Sequence, residues 1–302
     1  MVKLSGSSRE MRGMFLAVLA AAALGTEGIA AKLAYAGGAN ILTVLALRFL
    51  MAAAFFWGNL LFSPSIRKVD TPTFYRLVIL STGGQGFTVL LLFYSFQHIP
   101  AAAAILLFYI YPAVVAILAA VFLQESLTRS TLGALAITFL GLVIILGVPA
   151  GEWNTGGVVA ALLAALANGI YMVGQAHMLK RLDPGTFNAY MTLIVGVVFL
   201  AVALITGDFD LAFNIQAFLA ITALVLITTV LAYTAMAKGL QYIGAQRVAI
   251  ICTLEPAITA VLAYLVLGEK LLLVQALGGV LIILGVTWQQ LARQGGVSRD
   301  RS

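Results

Sequence analysis

Three ionisable side chains stand inside long apolar runs, and their chemistry sets the questions. Glu255 lies in the stretch CTLEPAITA, directly before Pro256. Proline has no N–H and cannot donate to the carbonyl of Cys252, four residues back. A carboxylate beside such a carbonyl could hold a cation, an amine or a proton. The plainer reading is a hydrogen-bonded glutamate in a packing interface. Glu27 and Arg48 form the second case. Glu27 lies about 14 residues into its apolar run, or roughly 21 Å. Arg48 lies about seven residues into the next run from the opposite side, or roughly 10 Å. A lone charge at such depth is costly, so the two are expected to pair. The pair reads as a structural bridge, or as an outer gate or carboxylate–amine clamp for a zwitterionic solute.

Other polar groups stand at similar depth. Gln85, Tyr109, Tyr111, Asn168, Thr228, Thr229, Thr253 and Glu255 all fall about ten residues into apolar runs, near the midplane of a bilayer core about 30 Å thick. Such residues are expensive there and usually face the interior. Tyr94, Tyr109, Tyr171 and Tyr233 could stack on an aromatic or amphipathic solute, or simply pack. Pro112 and Pro256 are expected to kink their helices, each freeing a backbone carbonyl, as hinges or cavity-shaping residues. Glu125 and Glu269 are expected to cap the helix that follows each of them. Gly83, Gly84 and Gly86 flank Gln85, but no GxxxxGK[ST] appears. Close helix packing or a thin cavity wall is expected there, and Gly133 and Gly141 are read as helix contacts. His98 and His177 stand alone and Cys252 is the only cysteine, so no metal site, intrachain disulfide or cofactor is expected.

The elements that hold these residues follow from composition. Of 302 residues, 62% are hydrophobic and 9% charged, against about 25% charged in a soluble domain. Eleven acidic and seventeen basic side chains cannot cover a water-soluble surface of this size. Soluble enzymes and disordered chains are excluded. The net charge of +6 is read as basic loops on one side of a membrane, not as nucleic-acid binding. Apolar runs of spanning length occur at Gly13–Tyr35, Ile41–Phe62, Phe74–Gln97, Ala101–Leu123, Thr131–Val148, Gly156–Leu179, Thr186–Thr206, Ala217–Ala237, Val248–Leu267 and Leu272–Gln290. They are too long for barrel strands and lack alternation, so they are read as helices. The first run is read as a span and not a cleaved signal peptide, because it exceeds a signal core and belongs to the repeat below. With the N-terminus in the cytoplasm, fourteen of the seventeen Lys and Arg residues fall on the cytoplasmic side. Both termini are therefore predicted inside. Trp57, Trp153 and Trp288 fall at predicted interfaces.

The chain repeats at an offset of 144 residues. Residues 97–127 align without a gap on 241–271, with eleven identities in 31 positions. Among them are Gln97/Gln241, Pro112/Pro256 and Glu125/Glu269. The same offset pairs Gly13 with Gly157, Gly25 with Gly169 and Gly141 with Gly285. Two repeats are expected, 1–149 and 150–302, each of five spans. An odd number forces the second copy into the membrane from the opposite face. Inverted-topology repeats belong to secondary transporters, whose equivalent halves expose one site to either side in turn.

Three stretches carry a resemblance. LEPAITAVLAYLVLGEKLLLVQALGGVLIILGV resembles the second EamA repeat of the drug/metabolite transporter superfamily. FYIYPAVVAILAAVFLQESLTRSTLGALAITFLGLVII resembles the first, and ALRFLMAAAFF resembles the family's second helix. Where that family commonly carries a Trp-Gly-Ser/Thr stretch in its first helix, this chain reads LGTEGIAAK. The resemblance implies ten transmembrane helices in an all-α integral membrane protein, with spans 1, 3, 4, 6, 8 and 9 lining a central cavity. It implies export of small metabolites, often amino acids, from a bacterial inner membrane. A mostly neutral cavity suits a zwitterion or amphiphile better than a sugar phosphate, since Arg48 is the only basic residue well inside a span. A cationic-drug exporter using Glu255 or Glu27 is the alternative. An intramembrane enzyme would need a Ser–His or paired acidic constellation, which the sequence lacks. The expected partners are a small-molecule solute and the bilayer, with protons as a potential coupling ion. A monomer and a homodimer are both compatible with the sequence, as are proton-coupled and facilitated transport.

Overall fold

The computed structural model describes residues 6–61, 69–99, 101–147, 154–267 and 272–299. Trp153, Glu269 and Lys270 lie outside the described residues. The chain is an all-α integral membrane protein, with no strand among the described residues. Among the described residues, nine helical segments are long and apolar enough to cross a bilayer, from Ser8–Ala36 to Ala245–Leu262. A further apolar stretch, Leu273–Gln289, lies within the helix Leu273–Arg299. The ten spans expected from sequence fall on these nine segments and this last helix.

The first segment is two helices, α1 (Gly6–Leu24) and α2 (Glu27–Ala36). The second is α3 (Ile41–Leu61). The third joins α4 (Thr71–Leu80), a π-helical turn at Ser81–Gly86 and α5 (Phe87–His98). The fourth is α6 (Ala101–Phe108) and α7 (Tyr111–Phe122), followed by α8 (Arg129–Leu146). Then come α9 (Thr155–Met178) and α10 (Pro184–Thr206). The eighth segment joins α11 (Ile215–Ala223), a second π-helical stretch at Leu224–Leu231 and α12 (Ala232–Ile243). The last elements are α13 (Ala245–Cys252), α14 (Glu255–Leu267) and α15 (Leu273–Arg299).

The backbone carries the 144-residue offset as well. The starts of α4, α6 and α8, at 71, 101 and 129, map onto those of α11, α13 and α15, at 215, 245 and 273. The π-helical turn at 81–86 maps onto 225–230, inside the second π-helical stretch. The gap at Tyr109–Ile110 maps onto the gap at Thr253–Leu254. The first segment departs from this pattern: it breaks at Gly25–Thr26, whereas its counterpart α9 is continuous.

Helix starts are set by short polar side chains that satisfy orphan N–H groups. Thr128 Oγ1 accepts from Thr131 N at 3.2 Å, Asp183 Oδ1 from Thr186 N at 2.9 Å and Asn214 Oδ1 from Ala217 N at 3.0 Å. Gly207, at φ +75°, ends α10 in a left-handed cap that a side chain would disfavour. Large apolar side chains such as Phe15, Ile79, Ile205 and Leu273 are exposed, as lipid-facing surface requires.

The chain forms two compact units, and each draws on both halves of the sequence. The first comprises residues 1–87 and 174–242, the second 88–173 and 243–302. In the first unit α3 packs on α10, where a Cβ on Gly196 would lie 2.9 Å from the backbone N of Leu50. In the second unit α8 packs on α15. A Cβ on Gly141 would lie 2.6 Å from the carbonyl oxygen of Gly278, and one on Gly278 2.6 Å from that of Gly141. Lipid offers no hydrophobic drive for helix association, so such backbone approach supplies dispersion contacts instead. Gly133, by contrast, is in ordinary contact with Trp288 at 3.9 Å.

Three expectations are corrected. Within the Gly83–Gly86 run, Gly83 does not mark close packing, since a Cβ there would meet nothing within 4 Å, whereas Gly84 and Gly86 are buried. The run accompanies the π-helical turn. Pro112 and Pro256 do not kink continuous helices. Each is the second residue of a new helix that follows a two-residue break. A missing N–H is harmless in a first turn, whose N–H groups have no intrahelical partner. Glu125 does not cap the helix after it. Thr128 already does so, and the Glu125 carboxylate closes the start of α13. Oε1 accepts from Ala245 N at 2.7 Å and Oε2 from Gln246 N at 3.1 Å.

Candidate functional site

The site residues expected from sequence fall into two groups, one within each unit. In the second unit they gather at the two helix breaks. Tyr109 opens the break of the fourth segment, Tyr111 begins α7, Thr253 opens the break of the ninth and Glu255 begins α14. The break in the ninth segment is closed by short turns: Thr253 N and its hydroxyl both donate to Ile250 O, at 3.1 and 2.6 Å. Leu254 N donates to Ile251 O at 3.0 Å. The Tyr109 hydroxyl hydrogen-bonds the half-buried Glu255 carboxylate. The Tyr109 and Tyr111 rings lie 5.7 Å apart, and Phe108 stands 5.2 Å from Tyr111.

Beside this cluster is a cavity of about 380 Å³, walled by Tyr109, Pro112, Leu135, Thr138, Phe139 and Thr253 among others. It lies between the break at Tyr109–Ile110 and α8. The Thr138 hydroxyl is spent on Leu135 O at 3.2 Å, which leaves the wall largely apolar. Asn168 and Tyr171 lie one turn apart on α9. Asn168 is half-buried and Tyr171 is buried. The adjoining Gly169 fits α9 against α7, since a Cβ there would meet Val114 Cγ1 at 2.5 Å.

The first unit holds the other group. Glu27 is the first residue of α2, directly after the break at Gly25–Thr26. Its carboxylate pairs with Arg48 as expected. Nη1 donates to Oε1 at 2.7 Å and Nη2 to Oε2 at 3.0 Å. Arg48 Nε donates to Thr229 Oγ1 at 2.8 Å. Thr229 in turn donates to Leu224 O at 3.1 Å, five residues back, and Thr228 donates to the same carbonyl at 2.9 Å. The π-helical stretch thus aims both hydroxyls at one oxygen. Both threonines are fully buried, so they hold the arginine and the helix and present no surface to a solute. Gln85 Nε2 donates to the Tyr233 hydroxyl at 3.2 Å, and the Phe49 and Tyr233 rings lie 6.4 Å apart.

Two neighbours of these groups carry no side-chain role in the sequence reading. Tyr35 lies within electrostatic reach of both Glu27 and Arg48. Its signal was its spacing, two helical turns after Glu27. Cys252, whose carbonyl faces the proline, is buried within reach of Glu255 and both tyrosines. Among the described residues, no group of three or more His, Cys, Asp or Glu side chains could hold a metal ion.

Spanning helices broken at buried polar groups, repeated at a fixed offset, define a membrane transporter. A sequence profile of the EamA-like transporter family matches residues 11–147 and again residues 155–288. The chain belongs to this family. It is 30% identical over 227 residues to the "uncharacterized transporter YdfC" of Bacillus subtilis (strain 168), covering 74% of this chain and 72% of that one. It is 26% identical over 303 residues to the "uncharacterized transporter YcbK" of the same organism, covering 92% and 94%. A solved structure, described only as the crystal structure of a protein, superposes with a TM-score of 0.79 over 96% of this chain and 99% of that one. At 19% identity that likeness speaks for the fold.

Proposed function

We propose that the protein is a secondary transporter of the bacterial inner membrane, with both termini cytoplasmic, that exports small polar or amphiphilic metabolites by alternating access. Amino acids are the foremost substrates. The observation that carries this reading is the recurrence of broken and π-helical segments at one 144-residue offset, each with polar groups at the irregularity. Two such halves of five segments are related by inversion, and inversion supplies two equivalent ways of opening one path. The polar groups are amides, hydroxyls, tyrosine rings, the Glu27–Arg48 pair and the Glu255 carboxylate bonded by Tyr109, which suits a zwitterion or amphiphile better than a multiply charged solute.

A second reading has its own support. Glu255 is half-buried beside an apolar cavity of about 380 Å³, which could seat the apolar body of an amine whose head meets the carboxylate. The test for both is flux in proteoliposomes of the purified protein, with labelled amino acids and a lipophilic amine, with and without an imposed pH gradient. Amino-acid flux is expected. Amine flux without amino-acid flux would replace the first reading with the second. Flux that ignores the pH gradient would exclude proton coupling.

A further inference from the structure

Arg48 is anchored from two directions. The Nε contact to Thr229 comes from the π-helical stretch of the eighth segment, and the Nη1/Nη2 contacts come from Glu27 after the break in the first. The two anchors are unequal. The Arg48 side chain is 5% exposed and that of Glu27 is 40% exposed. Thr229 is fully buried, with its own proton committed to Leu224 O. The guanidinium is therefore fixed in the protein by a contact that does not involve Glu27. The Glu27 carboxylate is the accessible partner, and it sits on the one broken segment whose counterpart α9 is continuous. At the break the Thr26 hydroxyl donates to Ala23 O at 2.7 Å.

We propose that the Nη1/Nη2 edge of Arg48 and the Glu27 carboxylate together form the headgroup site for an α-amino acid. This rests on the transport reading above and assigns the residues that would recognise its substrate. The solute's carboxylate takes the place of Glu27 on the guanidinium fork, and the released Glu27 takes the solute's ammonium.

Three features favour this exchange. First, a solute carboxylate has the same planar two-oxygen geometry that Glu27 now offers, and arginine binds it through the same two parallel bonds. Second, charge is balanced throughout. The empty site is one ion pair, and the occupied site is two ion pairs, neutral in both states. A lone cation or anion would instead carry a net charge into the membrane. Third, the surroundings accept such a head. Tyr35 and Tyr233 lie within electrostatic reach of the guanidinium, and the Phe49 ring lies 5.3 Å from it. Thr229 is thereby a positioning residue: it keeps the fork in place while Glu27 is away.

The test uses the purified full-length protein and the common L-amino acids, each alongside its decarboxylated amine and its deaminated acid. Thermal stabilisation reports binding, and counterflow in proteoliposomes reports transport. At least one amino acid is expected to bind and move, with its amine and its acid each weaker by about tenfold or more. Arg48→Lys keeps the charge and loses the fork, so it should raise KM for the amino acid about tenfold or more while sparing the amine. Thr229→Val should act in the same direction, with rescue by Thr229→Ser. The wild-type comparison needs no variant, so a variant that fails to fold does not stall the test. If an amine matches or exceeds its parent amino acid, the clamp is overturned and a cation site replaces it. If amino-acid KM is unchanged in folded Glu27→Gln and Arg48→Lys proteins, the clamp is overturned and the transport reading survives. If none of these solutes binds or moves, both fail together.

Discussion

The carboxylate of Glu125 accepts the backbone N–H of Ala245 at 2.7 Å, so a residue just past the fourth segment closes the first turn of the ninth. The second oxygen takes Gln246 N at 3.1 Å. The Gln246 side chain returns the contact, donating to Glu125 O and Ala116 O, each at 3.3 Å. A loop and a helix start 120 residues apart are thus held as one piece inside the second unit. Removing the carboxylate leaves two N–H groups at a helix start and removes a charge that complements the helix dipole. Glu125→Ala should cost about 1–3 kcal/mol of stability. Glu125→Gln keeps one acceptor oxygen and should lose about half as much. Gly244, at φ +83°, stands beneath the same carboxylate, and an added Cβ would lie 2.7 Å from Oε1. Gly244→Ala should also destabilise, by about 1–2 kcal/mol from backbone strain alone. Melting of the detergent-purified variants checks all three, and a Glu125→Ala protein that melts with the wild type would refute the cap.

Two glycines in helices should respond to alanine with opposite sign. Gly141 in α8 leaves no room, because its Cβ would sit 2.6 Å from the Gly278 carbonyl oxygen. Backbone cannot swing aside like a flexible side chain, so Gly141→Ala should cost about 1–3 kcal/mol as α8 and α15 are pushed apart. Gly58 in α3 faces open space within 4 Å. There alanine only lowers the entropy of the unfolded chain, and Gly58→Ala should gain about 0.5–1 kcal/mol. Melting temperatures of the two variants, measured side by side, decide the matter.

Much of this architecture was legible in the sequence because the bilayer imposes its length on each helix. Most of the ten apolar runs end within about three residues of the observed helices, while α1 starts well before its run and α12 and α15 continue well past theirs. The Glu27–Arg48 pairing followed from depth alone, since two lone charges at similar height have strong reason to meet. What was not legible depended on contacts distant in sequence. Glu125 could be read as a capping residue, but its partner lies on another segment. The prolines announced an irregularity at Pro112 and Pro256. Whether proline kinks a helix or opens a new one depends on the residues two and three positions before it, and those turn at Tyr109–Ile110 and Thr253–Leu254. The π-helical segments share no residue pattern: one is STGGQG and the other LVLITTVL. Their common feature is position in the repeat. The grouping of helices into two units also had no local signature, because each unit combines segments from both halves of the chain.

The ion pair should show a large coupling in a double-mutant cycle. Arg48 is buried, so removing Glu27 alone leaves an uncompensated charge inside the protein. Glu27→Ala should destabilise by about 1–3 kcal/mol, less than for a fully buried pair because the Glu27 side chain is 40% exposed. Adding Arg48→Met removes the orphan charge and fills its volume with an apolar chain, so the double variant should recover most of the loss. Chemical or thermal unfolding of the four proteins in one detergent gives the coupling. Additive losses would mean that the two side chains do not depend on each other. Because Glu27 is the more exposed partner, Glu27→Asp should be tolerated better than Arg48→Lys.

The break before α14 should matter for movement more than for stability. Pro256 has no N–H for the Cys252 carbonyl, and α13 ends where that bond would have formed. Alanine there restores the donor, so Pro256→Ala should let α13 and α14 join into one helix. The change adds a hydrogen bond and loses only the restriction proline places on the unfolded chain, worth about 0.4–1 kcal/mol. Melting should therefore stay within a few degrees of wild type. Joining the helices would move Thr253 and Glu255 out of their present relation to Tyr109, and it would remove the break at the site. Flux should fall even though the protein remains folded, the trade of activity for rigidity expected when function uses an irregular segment. Pro112→Ala, at the equivalent break, should act in the same direction and also narrow the cavity that Pro112 walls. Proteoliposome flux and melting measured on the same preparations separate the two effects. Wild-type flux from a folded Pro256→Ala protein would show that the break serves packing alone.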